Sequence, residues 1–392
     1  MIPDERPFYP PFTIVTPPFD SQLTQRIMDL DYLRRKKEWS GSTPADFFEQ
    51  IRSVFFMLES ISSARIEGNR TTIAEYLQNR TEPSEERPGS FQEIANLEGA
   101  LSFVEETARD IPINAAYIRE LHKRSVAGLR VSEEGDPHPG EFRREKVAIR
   151  HSSHRPPRAG DVPALVEEMV SVLATPTSPR YDLLKMALSH HRFVWIHPFA
   201  NGNGRTARLF TYALLVKYGF ALENSRIANP ASVFCASRKR YYDGLSLADR
   251  ALEENQEQGL LDWCEYVLEN LQKEIEKVES LTDWTFFSQK IMLPAIQWCR
   301  QYDKITPDEA KVLQNLFQKP EIKAEDVRRI LQKSDRTGTR ILTSLREKKI
   351  VQTIGEKGRK YRIHLTGGLL GGIVSSLIQE RFFTDTLAEE TS

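Results

Sequence analysis

The chain has little cysteine, almost no net charge and no long apolar run. Its three cysteines, Cys235, Cys264 and Cys299, are scattered over 392 residues. Such an odd, dispersed set builds neither a disulfide framework nor a close-spaced metal cluster, and it fits a reducing compartment. The formal net charge is -1, so no global field draws the molecule toward nucleic acid or a membrane surface. No stretch approaches the roughly 20 apolar residues of a membrane-spanning helix. Residues Met1 to Phe12 are proline-rich and lack the apolar core of a secretory signal. The expected location is therefore cytoplasmic. There is no internal repeat. The length suffices for a full buried core and suggests more than one domain.

Helical periodicity dominates what is there. Helices are expected over Leu23 to Lys37, Pro44 to Glu67, Phe91 to Ala108, Asn114 to Leu129, Pro163 to Leu173 and Tyr181 to Ile196. Pro198 disfavours the α region at the residue before it, so the last of these should stop near His197. The next should begin near Gly204 and end at Gly219 as its C′ glycine. Two more cover Arg238 to Ala251 and Gly259 to Leu281. Lys146 to Arg150 alternates apolar and polar residues around Val147 and Ile149, a short strand signal. Toward the C-terminus, Pro307 to Gln318, Lys323 to Leu331 and Ser334 to Glu347 read as three short helices. The strand-like runs Ile350 to Thr353 and Lys360 to Leu365 follow, joined by the turn at Gly355 to Gly358. Three helices and a hairpin resemble a winged helix. The expected fold class is mostly α: a helical core with a small β-hairpin flap, plus a C-terminal winged helix-turn-helix. The expected segments are 1–90, 91–285, 286–366 and a tail, 367–392.

The most informative stretch is His197-Pro198-Phe199-Ala200-Asn201-Gly202-Asn203-Gly204-Arg205. It sets a proton acceptor, a metal-capable amide and a glycine-rich loop just ahead of a helix. A helix N-terminus is a natural anion site, because its first N–H groups lack internal partners. His197 has an ordinary pKa of roughly 6.5 and can take a proton from an attacking hydroxyl. Asn201 offers a carbonyl oxygen to Mg²⁺, or is simply tolerated in a turn. Gly202, Asn203 and Gly204 let backbone N–H groups approach phosphate oxygens. Arg205 and Arg208 lie three apart on one helix face, and a guanidinium fork matches phosphate geometry. Phe199 is expected to pack beneath the loop. His151 and His154 invite a metal reading, but no third ligand flanks them.

This run matches the signature of the Fic (Fido) family, His-Pro-Phe-x-(Asp/Asn/Glu)-Gly-Asn-Gly-Arg-x-x-Arg, with Arg208 as the second arginine. Seven specified positions, each matched by chance about one time in twenty, make an accidental run improbable. Gly140-x-x-Arg143 with Val147, Ala148, Ile149 and Arg150 resembles the family's flap, which would add a target segment as an extra strand. Arg240-Tyr241-Tyr242 resembles its adenine-side helix, although Tyr241 and Tyr242 could equally be core. Ser63-Ala64-Arg65-Ile66-Glu67-Gly68 resembles its inhibitory motif. The resemblance spans about residues 45 to 270 and implies transfer of AMP from ATP to a Ser, Thr or Tyr hydroxyl of a target protein, with Mg²⁺. It places His197 as the catalytic base. Asn201, Gly202, Asn203, Gly204, Arg205, Thr206, Ala207 and Arg208 would hold the ATP phosphates, with Asn201 as the metal ligand. It also implies that Glu67 pairs with Arg208 in the γ-phosphate's space, so that the enzyme inhibits itself. The same carboxylate could serve removal of AMP. Gly204, where a phosphate-transferring branch has Lys, argues against that branch. The resemblance further admits a homodimer.

A second reading treats the chain as a DNA-binding regulator whose Fic-like region senses nucleotide without turnover. Arg336, Arg340, Lys348, Lys349, Lys357, Arg359 and Lys360 would form its basic patch. Winged helices also bind proteins. The intact set His197, Asn203, Arg205 and Arg208 favours the enzyme, since a sensor has no use for a proton acceptor.

Overall fold

The computed structural model describes residues 9–35, 42–81, 88–149, 152–220, 233–234, 237–316, 321–354 and 360–383. Arg150, His151, Cys235, Lys357 and Arg359 lie outside them, as does the expected turn at 355–358. Helices dominate. Packing groups the chain otherwise than in linear segments: one unit comprises 1–38 with 56–276, the other 39–55 with 277–392.

In the first unit, α1 (Gln22–Arg35) turns Leu23, Ile27 and Leu30 inward at helical spacing. The second half of α2 (Ala45–Ile66) buries Met57, Leu58, Ile61 and Ala64. A short helix, α3 (Ile73–Thr81), follows; its Thr72–Glu75 pair closes reciprocally on the backbone, with Thr72 N–H donating to Glu75 Oε2 at 2.8 Å and Glu75 N–H to Thr72 Oγ1 at 3.1 Å. Helix α4 (Gly89–Thr107) buries Ile94, Leu97, Leu101 and Val104, and α5 (Ala115–Ser125) starts at Asn114, whose side chain accepts the Tyr117 N–H. The last carbonyls of α6 (Val162–Ala174) meet the ammonium of Lys185, 2.7 Å from the Thr175 oxygen. Helices α7 (Asp182–Ile196) and α8 (Asn203–Lys217) are buried nearly all round, as central helices must be. Helix α8 packs on α4, α5 and α7. It ends as the sequence leads one to expect: Gly219 takes φ +81°, and Phe220 N–H reaches back to the Leu215 oxygen at 2.9 Å. Helices α9 (Arg238–Glu253) and α10 (Gln258–Ser280) follow.

In the second unit a single turn, Trp284–Phe286, and a π-turn, Phe287–Met292, lead into α11 (Leu293–Gln301). Helix α12 (Pro307–Asn315) opens on a capping box between Thr306 and Glu309. Helices α13 (Ala324–Leu331) and α14 (Asp335–Glu347) follow, then β1 (Val351–Ile354) and β2 (Lys360–Ile363). The strands are antiparallel, pairing Val351 with Ile363 and Ile354 with Lys360, and Ile322 bridges to Tyr361. Lys348 and Lys360, expected in an open basic patch, are held instead by Glu309 at 2.7 Å and Glu321 at 2.6 Å. Arg336, Arg340 and Lys349 are exposed.

Helix α15 (Leu370–Gln379) lies in the stretch expected to be a tail, and packs on α11. Its glycines serve close approach. A methyl group on Gly372 would fall 2.5 Å from the Ala295 oxygen. The one ladder among the described residues is this C-terminal hairpin. Lys146 to Ile149 forms no strand there, although Val147 and Ile149 are half-buried and Lys146 and Ala148 exposed, as their alternation predicts. Alternation sets which side chains face inward; a ladder needs a partner segment.

Candidate active site

His197 ends α7 in the left-handed region, at φ 53° and ψ 60°. The Pro198 that follows prevents helix continuation, and the turn swings the chain back toward the start of α8. The imidazole Nδ1 lies 3.3 Å from the Val194 oxygen. A carbonyl can only accept, so the proton is on Nδ1, and Nε2 keeps its lone pair. Burial is the main cause that depresses the ring's pKa to about 4. The Val194 bond opposes that shift, Arg143 adds to it, and Glu67 pulls back against it. At neutral pH the ring is thus an uncharged base.

Asn203 closes the loop from within. Its Oδ1 accepts the Phe199 N–H and its Nδ2 donates to the Phe199 oxygen, both at 2.9 Å. Gly202 precedes it at φ +71°, where a methyl group would sit 2.7 Å from Val126 Cγ1. Asn201 is held by its backbone: its N–H donates to Asp136 Oδ2 at 2.8 Å, and its carbonyl accepts from His122 Nε2 at 3.1 Å. His122 Nδ1 accepts the Gly140 N–H at 2.9 Å, and its ring lies flat on Phe199, centroids 3.7 Å apart. Phe199 is fully buried beneath the loop, as expected. The Asn201 Oδ1 accepts the Gly202 N–H at 2.7 Å and retains a second lone pair. That single neutral oxygen fits a Mg²⁺ that keeps its waters and phosphate oxygens. Among the described residues no group of three or more His, Cys, Asp or Glu side chains is arranged to hold a metal ion.

The two arginines of the motif part company. Arg208 points to the inhibitory segment: Nε donates to Ser63 Oγ at 2.8 Å, and NH2 to the Ser63 carbonyl at 2.9 Å and Glu67 Oε1 at 2.7 Å. Burial opposes ionisation of Glu67, but Arg208, with Arg205 and His197 further off, holds its carboxyl below the usual range. The Glu67 carboxylate sits on the first turn of α8, where a methyl group on Gly204 would collide with it. Arg205, expected at the phosphates, is fully buried instead, bonded to Glu93 Oε1 at 2.9 Å and the Glu134 carbonyl at 2.7 Å. Thr206 and Ala207 likewise face inward; Thr206 gives its N–H and hydroxyl to the Gly202 carbonyl, and Ala207 is fully buried. All three are buried along α8. Tyr241 is core, its hydroxyl 3.0 Å from His190 Nε2, whereas Tyr242 is exposed and feels the Glu67 charge.

Residues 112–215 match the family described as Fic/DOC. The chain carries a Fic/DOC domain. It is 32% identical over 192 residues to the protein adenylyltransferase Fic of Drosophila sechellia, covering 48% of this chain and 36% of that protein. The Aedes aegypti protein of the same name is 32% identical over 193 residues, with the same coverage. The chain thus spans about a third of the length of these relatives. Among solved structures, a Fic family protein from Desulfovibrio desulfuricans G20 superposes with a TM-score of 0.53 at 19% identity, covering 91% of this chain and 98% of that one. A Fic domain containing signaling protein from Bacteroides thetaiotaomicron VPI-5482 gives 0.50 at 19%, covering 67% and 98%. These two likenesses concern the fold.

The Fic/DOC domain draws on residues that the motif alone does not name. Glu93 is one, and its signal was an acid on the apolar stripe of a predicted helix, in step with Leu97 and Ala100. His122 is another, a histidine in step with Ile118, Leu121 and Ser125 on α5. Asp136 carries no such mark, because it lies in an irregular loop. No helix of the described residues is long and apolar enough to cross a membrane.

Proposed function

We propose that the chain is a protein adenylyltransferase, moving AMP from ATP to a Ser, Thr or Tyr hydroxyl of a target protein. The observation that carries this is the uncharged His197 ring with an available Nε2, beside the first turn of α8. In the reaction the hydroxyl oxygen bonds to the α-phosphorus, the bond from that phosphorus to the bridging oxygen breaks, and pyrophosphate leaves. His197 Nε2 takes the hydroxyl proton as the new bond forms. The N-terminal N–H groups of α8 face the charge that spreads over the phosphate oxygens. Bound Mg²⁺ would neutralise phosphate charge, with the Asn201 Oδ1 as its protein ligand. Tyr242 stands on the nucleoside side, and Val147 to Ile149 on the target side.

Glu67 holds this activity off. Its carboxylate occupies the ground of the γ-phosphate and engages Arg208, the guanidinium that would otherwise receive it. The same carboxylate is suited to orient a water for removal of AMP. The chain incubated with α-labelled ATP and Mg²⁺ should label weakly, Glu67→Gly strongly, and Glu67→Gly with His197→Ala not at all. Equal labelling with and without His197 would end the proposal. In the second unit, the order of three helices and a hairpin, with Ile322 bridging to β2, supports a winged helix.

A further inference from the structure

We propose that Arg143 is a positioning residue for the catalytic base, pinning the His197 turn to the foot of the flap and to the 152–158 segment. The inference rests on the reading of His197 as the base.

Arg143 is almost wholly buried. Among the described residues its guanidinium hydrogen-bonds to carbonyls alone. Nε donates to the His197 oxygen at 2.8 Å, NH1 to Glu145 at 3.0 Å, and NH2 to Pro157 at 2.6 Å and Ile196 at 3.4 Å. Its own backbone N–H donates to the Pro198 oxygen at 2.9 Å. No carboxylate forms an ion pair with it among the described residues. A helix end leaves its last carbonyls without internal partners, and the left-handed turn at His197 turns two of them toward this side chain. A planar fork with donors on three nitrogens can serve carbonyls from three segments at once; an ammonium is a single point charge. A cation at the negative end of α7 is also favoured by the helix dipole.

The placement has an electrostatic consequence. A buried positive charge this close to the imidazole disfavours a second one on the ring. The groups that bear on the His197 titration are Arg143 at the flap's foot, Glu67 beyond the end of α2 and His154 in the 152–158 segment. Arg143 and His154 push toward the neutral base, and Glu67 pulls the other way. Arg143 therefore fixes where the ring stands and helps to keep it unprotonated.

The test reads the ring itself as well as turnover. The full chain is prepared with ¹³Cε1-labelled histidine as wild type, Arg143→Gln and Arg143→Lys, with His197→Gln to assign the signal. The proposal expects Arg143→Gln to raise the His197 midpoint by about half a unit or more. Arg143→Lys, which keeps the charge, should leave the midpoint within a few tenths. In a Glu67→Gly background both variants should lower kcat for AMP transfer by about tenfold or more, with KM for ATP within about twofold. Arg143→Lys guards against misfolding of the glutamine variant, and near-UV circular dichroism reports its packing. If both variants keep the wild-type midpoint and full kcat, the proposal is overturned. It is overturned equally if both merely melt earlier while midpoint and kcat per folded molecule stay unchanged. If the Glu67→Gly parent shows no transfer, the function proposed above fails, and the midpoint in Arg143→Gln still decides whether Arg143 governs the ring.

Discussion

Glu67 can be altered in two steps that separate its charge from its bulk. Glu67→Gln keeps the length of the side chain and removes the charge; Glu67→Gly removes both. In the wild type the carboxylate is 2.7 Å from Arg208 and lies across the first turn of α8. A phosphate brought to about 4 Å from it would be repelled by about 4 kcal/mol at an effective dielectric of about 20. At about 1.4 kcal/mol per tenfold, that is about a thousandfold against productive ATP. The side chain is about a quarter exposed and can rotate aside, so the measured effect should lie between about tenfold and that ceiling. The expected order of initial rates with α-labelled ATP is wild type, then Glu67→Gln, then Glu67→Gly. If Glu67→Gln labels no faster than wild type while Glu67→Gly does, charge plays no part and bulk alone inhibits. If Glu67→Gly matches wild type, the carboxylate is no inhibitor. The variants should also be less stable by about 1–2 kcal/mol, because the buried Arg208 guanidinium loses the carboxylate it donates to. The folded carboxyl is held below its ordinary value of 4.5. That stability is therefore present above about pH 4.5 and is lost as pH falls through the folded value.

The buried pair of Arg205 and Glu93 is 2.9 Å apart and almost wholly enclosed. Glu93→Ala should cost about 3–5 kcal/mol in urea unfolding, and a cost below about 1 kcal/mol would show that the guanidinium is well served without it. With His197 depressed to about 4 and Glu67 among the groups that raise it, the acid limb of kcat in Glu67→Gly should fall no higher than about pH 4, because only the unprotonated ring accepts a proton. A limb near the ordinary 6.5 would contradict the buried ring. Gly372→Ala should lower thermal stability by about 1–3 kcal/mol through collision with Ala295, and an unchanged melt would refute the close packing of α15 on α11.

What the sequence revealed was mostly local. Pro198 stops α7, Gly219 stops α8, and Asn114 opens α5, each acting within a few residues of itself. The motif brought out His197 and Arg208 because its spacing is a property of one turn and one helix. The fates of Arg205, Thr206 and Ala207 turn on which face of α8 meets α4 and α5, and that depends on partners far along the chain. Glu93 is 112 positions from the arginine it binds. The flap signal at Val147 to Ile149 was sound as to burial and silent as to a pairing partner. Helix α3 had its capping pair, Thr72 and Glu75, in plain view. Helix α15 was hidden by glycines whose purpose is visible only with α11 beside them.

The backbone at His197 favours glycine or asparagine, since other residues in the left-handed region cost about 1–2 kcal/mol. A histidine held at φ 53° is thus retained against the preference of its own turn. Selection of variants for heat resistance alone should drift toward Gly or Asn at this one position, and each such gain would leave a sturdier molecule without the imidazole proposed to accept the proton.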